Sequence, residues 1–141
     1  MDTVNISCDI ACNGAGLHLR AAVGDCVLFD GDPNGQIKCS TSIPDADGEH
    51  ELIFTLSKKT AEHTRVDADG NIVDDVVVTI TDISFDEISL GYTLLENSSY
   101  THDFNGTGEP VTEKFSGTMG CNGTVTLKFS TPVYLWLLEH M

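Results

Sequence analysis

Hydrophobic and polar residues alternate along most of the chain. Near the start, Val4, Ile6, Cys8 and Ile10 are separated by single polar residues, which is the two-residue period of a strand with one buried face. Similar short segments follow, bounded by clusters of Gly, Asp, Asn and Pro that are typical of turns. No segment has a sustained helical period, and only residues 50–64 and the last six residues leave room for a helical turn.

The spacing of these segments predicts the fold class. About eight to ten short antiparallel strands are typical of an all-β protein, a β-sandwich or jelly roll, here formed by a single domain over residues 1–141. Residues 76–81 are β-branched at every position and predict one strand. Asp86-Glu87 predicts a bend further on, and Asn122-Gly123 predicts a hairpin turn between the last two strands.

Six consecutive apolar residues, 133–138, break the alternation near the C-terminus. In a strand they would place apolar side chains on both faces, and both faces would have to be covered. Two interpretations stay open: a central strand of the sandwich, or a strand with one face against another chain. Trp and Tyr are enriched at interface hot spots. Tyr134, Trp136 and Leu138 are therefore the candidate interface residues, facing either a homo-oligomer or another protein.

The composition is strongly acidic. The 141 residues include 22 Asp and Glu against 7 Lys and Arg, a formal net charge of −15, while 40% of the residues are hydrophobic. That hydrophobic fraction is typical of a folded domain. Nucleic-acid phosphates and anionic membranes bind clustered cations, which this chain lacks. We therefore expect neither nucleic acid nor a membrane among its partners.

The start of the chain bears on the compartment in which it folds. Residues 1–3 turn polar at once, without a basic segment followed by an apolar one, so we expect no signal peptide. A run of about 20 apolar residues, as a membrane-spanning helix needs, does not occur. The expectation is therefore a protein that folds in the cytoplasm.

Five cysteines are present, and four of them, Cys8, Cys12, Cys26 and Cys39, lie in the first 39 residues. Buried free thiols are the favoured interpretation, because Cys is among the most buried residue types. A disulfide and a zinc site are the alternatives. The spacing Cys8-x3-Cys12 is not matched by a second close pair, which weakens the zinc interpretation.

The segment 67–75 is the best candidate for a ligand site, because side chains with oxygen atoms alternate along it and more acids follow a glycine. Calcium takes about six to eight oxygen ligands. The candidate metal ligands are Asp67, Asp69, Asn71, Asp74 and Asp75. The loop is not an EF-hand, since its glycine is at the fourth position instead of the sixth. A plain Asp-Gly turn between two strands is the simpler alternative.

No pattern of catalytic residues stands out. A Gly-x-Ser-x-Gly nucleophile motif is absent, and the five histidines are scattered. Pairing two of the many acids for glycosidase chemistry would be arbitrary without their positions in space. We therefore expect a binding or structural protein and not an enzyme.

Three stretches carry a resemblance to known proteins: residues 51–90, the segment YTHDFNG that begins at Tyr100, and the C-terminal FSTPVYLWLLEHM. Together they resemble small acidic β-sandwich proteins of tailed phages, including marine and cyanobacterial phages. The chain is also similar, more loosely, to calcium-dependent carbohydrate-binding modules. In those modules an acidic loop holds the ion, and the ion contacts sugar hydroxyls.

The first resemblance implies a non-enzymatic virion component, either a capsid decoration or a tail or fibre protein. Such a protein contacts other virion proteins and is made in the host cytoplasm without a signal peptide. The second resemblance implies a calcium-dependent module that contacts host-surface glycans, with the acidic segment as its ion site. The virion component is our first expectation and the carbohydrate-binding module the alternative. An acidic mimic of DNA and an enzyme are further alternatives.

Overall fold

The computed structural model describes residues 3–60, 64–90, 97–102 and 109–140. Within these ranges the chain forms antiparallel β-sheets and one short helix, which confirms the predicted all-β class. The strands are β1 (Thr3–Cys12), β2 (His18–Val23), β3 (Cys26–Gly31), β4 (Gly35–Pro44), β5 (Gly48–Ser57), β6 (Thr64–Val66), β7 (Ile72–Asp75), β8 (Val78–Phe85), β9 (Ile88–Ser89), β10 (Ser98–His102), β11 (Val111–Lys114), β12 (Thr118–Met119) and β13 (Gly123–Thr131), followed by the helix α1 (Val133–His140).

The first sheet has the strand order β12-β8-β1-β4, with β9 paired to β8. Its centre is β1, whose alternate residues Val4, Ile6, Cys8 and Ile10 are buried, as the alternation predicted. The turn between β8 and β9 contains Asp86-Glu87, which confirms the predicted bend. Both residues have positive φ, the conformation that a tight two-residue hairpin requires.

The second sheet has the strand order β11-β10-β13-β5-β2-β3. Its central strands β5 and β13 bury alternate residues, including Leu52, Phe54 and Leu127. These side chains belong to the same buried cluster as those of β1 and β8. The two sheets therefore enclose one hydrophobic core, which is the arrangement of a β-sandwich. A separate two-stranded hairpin is formed by β6 and β7.

The C-terminal apolar segment is a helix, so both strand interpretations of it were wrong. Val133, Trp136 and Leu137 face the core at helical spacing. Asp45, far away in the sequence, accepts a hydrogen bond from the Val133 N–H at 3.0 Å and thereby satisfies one of the free donors at the helix start. No helix in the described ranges is long and apolar enough to cross a membrane.

Two finer predictions also fail. The residues Asn122-Gly123 do not join a hairpin, because β12 pairs with β8 in the first sheet while β13 lies between β10 and β5 in the second. The predicted strand over residues 76–81 begins two residues later, at Val78. Local sequence predicted strand and turn types here, but the partner of each strand depends on the rest of the chain.

Candidate functional site

The predicted calcium segment forms the hairpin of β6 and β7. The turn is closed by its own backbone, since the Asp67 N–H donates to the Asn71 carbonyl oxygen at 2.9 Å and the Gly70 N–H donates to the Asp67 carbonyl oxygen at 3.1 Å. Gly70 has a φ of +85°, which a residue without Cβ adopts at little cost. The Asp-Gly turn expected as the simpler alternative is therefore present.

Asp67 organises this turn with its side chain. Its Oδ1 accepts the N–H of Asp69 at 2.9 Å and the N–H of Asn71 at 3.0 Å. These N–H donors, that of Asn71 first, stabilise the charged form and lower the pKa of the Asp67 carboxyl. The exposed side chains of Asp67, Asp69 and Asn71 therefore share one ordered turn.

The last acid of the segment is engaged elsewhere. Asp75 lies at the end of β7, and its Oδ1 is 2.7 Å from the Nζ of Lys59. The Lys59 ammonium is buried and also donates to the carbonyl oxygen of Gly120. A cation at this distance competes with any metal for the Asp75 carboxylate.

The structure thus brings three of the five predicted ligands into one turn and directs Asp75 to a lysine. The side chain of Asp74 lies outside the described residues. In the described part of the chain, no three His, Cys, Asp or Glu side chains are close enough together to hold a metal ion. The described side chains therefore fall short of a full set of about six calcium ligands.

A second candidate is an open groove beside α1, with a volume of about 1150 Å³. We call it the helix groove. It is formed by the β2–β3 turn, the end of β4, the start of β5, Asn97 before β10, the end of β13 and one side of α1. Its lining residues are Val23, Gly24, Asp25, Cys26, Ile43, Pro44, Glu49, His50, Glu51, Ile53, Asn97, Lys128, Phe129, Ser130, Trp136, Glu139 and His140.

Aromatic rings pack along one side of the helix groove. The rings of Trp136 and His140 stack at 4.6 Å between centroids, and those of His50 and Phe129 stack at 5.4 Å. Because Trp136 is only 4% exposed and packs edge-on against Phe85 and Phe129, the groove offers ring edges and imidazoles instead of an open indole face.

The charged groups of the helix groove are mostly acidic. Asp25, Glu49, Glu51 and Glu139 are exposed, and the cation Lys128 lies 4.0 Å from Glu51. Carboxylates accept hydrogen bonds, and a neutral imidazole both donates and accepts. The lining therefore suits a neutral ligand with several hydroxyl groups and repels an anionic one.

The candidate interface residues lie on two opposite faces of α1. Tyr134 and Leu138 are 52% and 79% exposed, and Leu135 lies beside them, 60% exposed. Trp136 is 4% exposed and packs in the core, so it offers little surface to a partner. In a helix the residues 134, 135 and 138 share the face opposite to 133, 136 and 137, which explains the division. We call Tyr134, Leu135 and Leu138 the apolar helix patch.

Sequence reasoning missed two features of these sites. The pairing of Lys59 with Asp75 joins residues 16 positions apart, and no local pattern marks it. The helix groove combines residues from six separate segments, one of them Asn97 before β10, and it depends on a helix that the sequence did not predict. No local signal distinguished the acids at 49 and 51 from the other acids of the chain.

Comparison with known proteins gives one informative likeness. No family model matches the chain, and no curated protein matches it. Among solved structures, the selenomethionine form of vCBM60 is similar, with a TM-score of 0.51 and 13% identity over 88% of this chain and 89% of that chain. Its description links two families of calcium-dependent carbohydrate-binding modules by circular permutation.

A structure of vCBM60 in complex with galactobiose gives a TM-score of 0.48 and 15% identity over 87% of this chain and 96% of that chain. At these identities the comparison concerns backbone architecture. The chain therefore shares a β-sandwich fold with the selenomethionine form of vCBM60.

Proposed function

We propose that this domain is a non-catalytic module that binds carbohydrate. The observation that supports the proposal is the fold shared with vCBM60 over 88% of the chain. The exposed acids and half-buried imidazoles of the helix groove are consistent with it, because sugar hydroxyls both donate and accept hydrogen bonds. The buried Trp136 leaves hydrogen bonding, rather than ring stacking, as the main source of affinity.

The experiment is a calorimetric titration of the protein with neutral oligosaccharides, including galactose-based ones. We expect Glu49→Ala and Glu139→Ala to weaken binding about tenfold or more, since each removes a hydrogen-bonding carboxylate worth about 1.5 kcal/mol or more. Glu109→Ala is the matched control, because Glu109 is exposed and does not line the groove. Absence of binding to every neutral glycan tested, or equal losses in all three variants, would count against the proposal.

The proposal includes calcium binding at the turn between β6 and β7. The residues to test are Asp67, Asp69, Asn71, Asp74 and Asp75, and Asp75 is already paired with Lys59. Calorimetry with calcium chloride is expected to detect binding that Asp69→Ala and Asp74→Ala abolish and that Asp47→Ala, in a different acidic turn, leaves intact. Unchanged binding in the first two variants removes this segment from the proposal.

A second proposal is the virion component implied by the resemblance to phage proteins, present in the host cytoplasm and then in the particle. The feature that supports it is the apolar helix patch, since exposed apolar side chains are a common basis for protein contacts. Mass spectrometry of purified virions is the test of location. Leu138→Asp is expected to abolish attachment to the particle without unfolding the domain, and its retention on the particle would contradict this role.

A further inference from the structure

Two cysteines face each other at the edge of the first sheet. Cys8 on β1 is directly opposite Cys39 on the edge strand β4 in the antiparallel register. Cys8 is buried, and Cys39 is half-buried against the same core. The Cys39 thiol lies 3.9 Å from the Cys8 carbonyl oxygen.

We propose that Cys8 and Cys39 are a redox modification site, which forms a reversible disulfide on exposure to a small-molecule disulfide such as oxidised glutathione. Directly opposed residues in an antiparallel pair have Cβ atoms about 4.5–5.5 Å apart, and a disulfide needs about 3.5–4.5 Å. The two strands therefore have to approach by up to about 1 Å. A bond that requires such a shift is more easily reduced than an unstrained one.

The surroundings of the two thiols differ, and this difference decides which cysteine reacts first. The neighbouring Cys8 thiol lowers the pKa of Cys39, whereas the Cys39 thiol together with burial raises the pKa of Cys8. Cys39 is also the more exposed of the two and belongs to an edge strand. Since the thiolate is the nucleophile, Cys39 attacks first.

The exchange proceeds in two balanced steps. The Cys39 thiolate attacks one sulfur of the oxidised glutathione, which gives a mixed disulfide and releases one glutathione thiolate. Cys8 then loses its proton and attacks the Cys39 sulfur, forming the Cys8–Cys39 bond and releasing the second glutathione. Two electrons pass from the cysteine pair to the glutathione, and both thiol protons end on the two released glutathione molecules or in solvent.

The other three cysteines have different neighbours. All five cysteines lie in described residues, and none of them forms a disulfide. Cys12 is opposite Gly35 and Val78, Cys26 is opposite Val23, and Cys121 lies between β12 and β13, outside the strands. Only Cys8 and Cys39 oppose each other in a strand pair, so the geometry points to a single product.

The test is oxidation of the folded protein with oxidised glutathione, followed by thiol counting and tryptic mapping. We expect loss of two of the five thiols, a mass decrease of about 2 Da from the two hydrogens removed, and complete recovery with dithiothreitol. Cleavage after Arg20, Lys38 and Lys58 places Cys8 and Cys39 in the peptides 1–20 and 39–58, which should appear as one linked species.

Variants identify the bond. Cys39→Ser, at the half-buried position, is expected to abolish both the linked peptide and the loss of thiols. Cys12→Ser is expected to preserve both, which separates Cys8 from the second cysteine of the same peptide, and Cys26→Ser serves as a further control. Retention of all five thiols, a linked peptide that persists in Cys39→Ser, or one lost in Cys12→Ser would overturn the proposal.

Discussion

Lys59 is a charged residue in the interior of the protein, with a side chain only 1% exposed. Its ammonium contacts Asp75 and the Gly120 carbonyl oxygen, and its backbone N–H and carbonyl both hydrogen-bond to the Asn122 amide. These contacts connect the end of β5 with β7 and with the segment before β13. A buried charge stays buried only when it is compensated in this way.

We expect the two partners of this ion pair to differ in cost when they are replaced. Asp75→Asn leaves a buried ammonium without its counter-charge, which costs about 3 kcal/mol of folding free energy. Lys59→Met leaves Asp75, which is 28% exposed and can be hydrated, so we expect a loss of about 1 kcal/mol. Urea denaturation measures both values.

Lys38→Met is the control for this comparison. Its ammonium is 84% exposed and 3.9 Å from Asp9, so we expect a change below about 0.5 kcal/mol. A larger loss for Lys59→Met than for Asp75→Asn would contradict the assignment of Lys59 as the buried charge.

Tyr100 provides a pH-dependent test at the same scale. Its ring is buried, and its hydroxyl donates to the Cys121 carbonyl oxygen and accepts the Cys121 N–H at 3.0 Å. Burial raises the pKa of Tyr100 from 10.0 to about 12, against the opposing effect of the bond to the Cys121 backbone. Because the unfolded chain loses this proton first, the free energy of unfolding falls as the pH rises from 10 towards 12.

The measurement is the pH dependence of urea unfolding for the protein and for Tyr100→Phe. The variant starts from a lower stability, since it loses the contacts with Cys121, but its stability declines less steeply over this pH interval. Parallel curves would show that Tyr100 does not ionise at different pH values in the folded and unfolded states. The buried Tyr100 also cannot serve as a sugar-stacking platform, one use that an aromatic residue on a strand suggests.

At the level of single residues, the sequence predicted local contacts of the candidate sites but not long-range ones. Lys58 and Lys59 are adjacent, and nothing in the sequence distinguishes them, yet Lys59 is buried. Asp67, Asp69 and Asn71 were predicted to share a turn, and they do, because the determinants of that turn lie within five residues. The partner of Asp75 was not predictable, since its contact depends on how β5 and β7 meet.

At the scale of elements, the helix α1 shows why a strand was expected. Its buried positions 133, 136 and 137 follow helical spacing, but the intervening residues 134, 135 and 138 are also apolar. The helical period is therefore hidden in an unbroken apolar run. Pro132 before the run and Asp45, which accepts from the Val133 N–H, favour a helix start at this point.

The two faces of α1 predict opposite results for substitutions. Trp136→Ala removes a ring that packs on Phe85 and Phe129, and we expect a loss of about 3–4 kcal/mol. Leu138→Ala, at a position 79% exposed, is expected to change stability by less than about 0.5 kcal/mol. Thermal or urea unfolding of the two variants, each monitored by circular dichroism, provides the comparison.

Similar losses for Trp136→Ala and Leu138→Ala would mean that α1 does not dock on the core through the face described. A small loss for Trp136→Ala with reduced self-association would instead support the interface role that the sequence suggested for this residue.

The start of β13 shows how a local sequence signal can mislead, because its Asn-Gly pair predicted a hairpin turn. The pair Asn122-Gly123 is typical of hairpins, but here the glycine begins β13 beside β10. A Cβ at position 123 would clash with the Thr101 carbonyl oxygen. The glycine is therefore required for the close approach of two strands, a reason that becomes visible only when β10 and β13 are paired.

For the whole molecule, the alternation of apolar residues was sufficient to predict an antiparallel sandwich. The two-residue period repeats in many segments and needs no knowledge of their partners. The alternation did not predict the order of the strands within each sheet, which is β12-β8-β1-β4 in the first and β11-β10-β13-β5-β2-β3 in the second. The strand order depends on which buried faces pack together. The buried faces of these strands have similar composition, so the sequence does not show which strands are neighbours.

The net charge of −15 leads to a prediction for the molecule as a whole. Many of the acids lie at the ends of strands or in the segments between them, including the pairs at 30 and 32, 45 and 47, and 67 and 69. Folding brings these like charges closer together, and salt screens them over a Debye length of about 10 Å at 0.1 M. Raising sodium chloride from about 10 to about 200 mM should therefore increase the free energy of unfolding, by on the order of 1 kcal/mol.

Calcium chloride at matched ionic strength separates general screening from a specific site. If screening alone acts, calcium and sodium stabilise the protein to a similar extent. A bound ion adds a further increase that grows with the logarithm of calcium concentration above its Kd, and we expect Asp69→Ala to abolish that additional part while preserving the effect of sodium. Urea unfolding in both salts measures the two contributions, and a protein that loses stability as sodium chloride rises would contradict the charge argument itself.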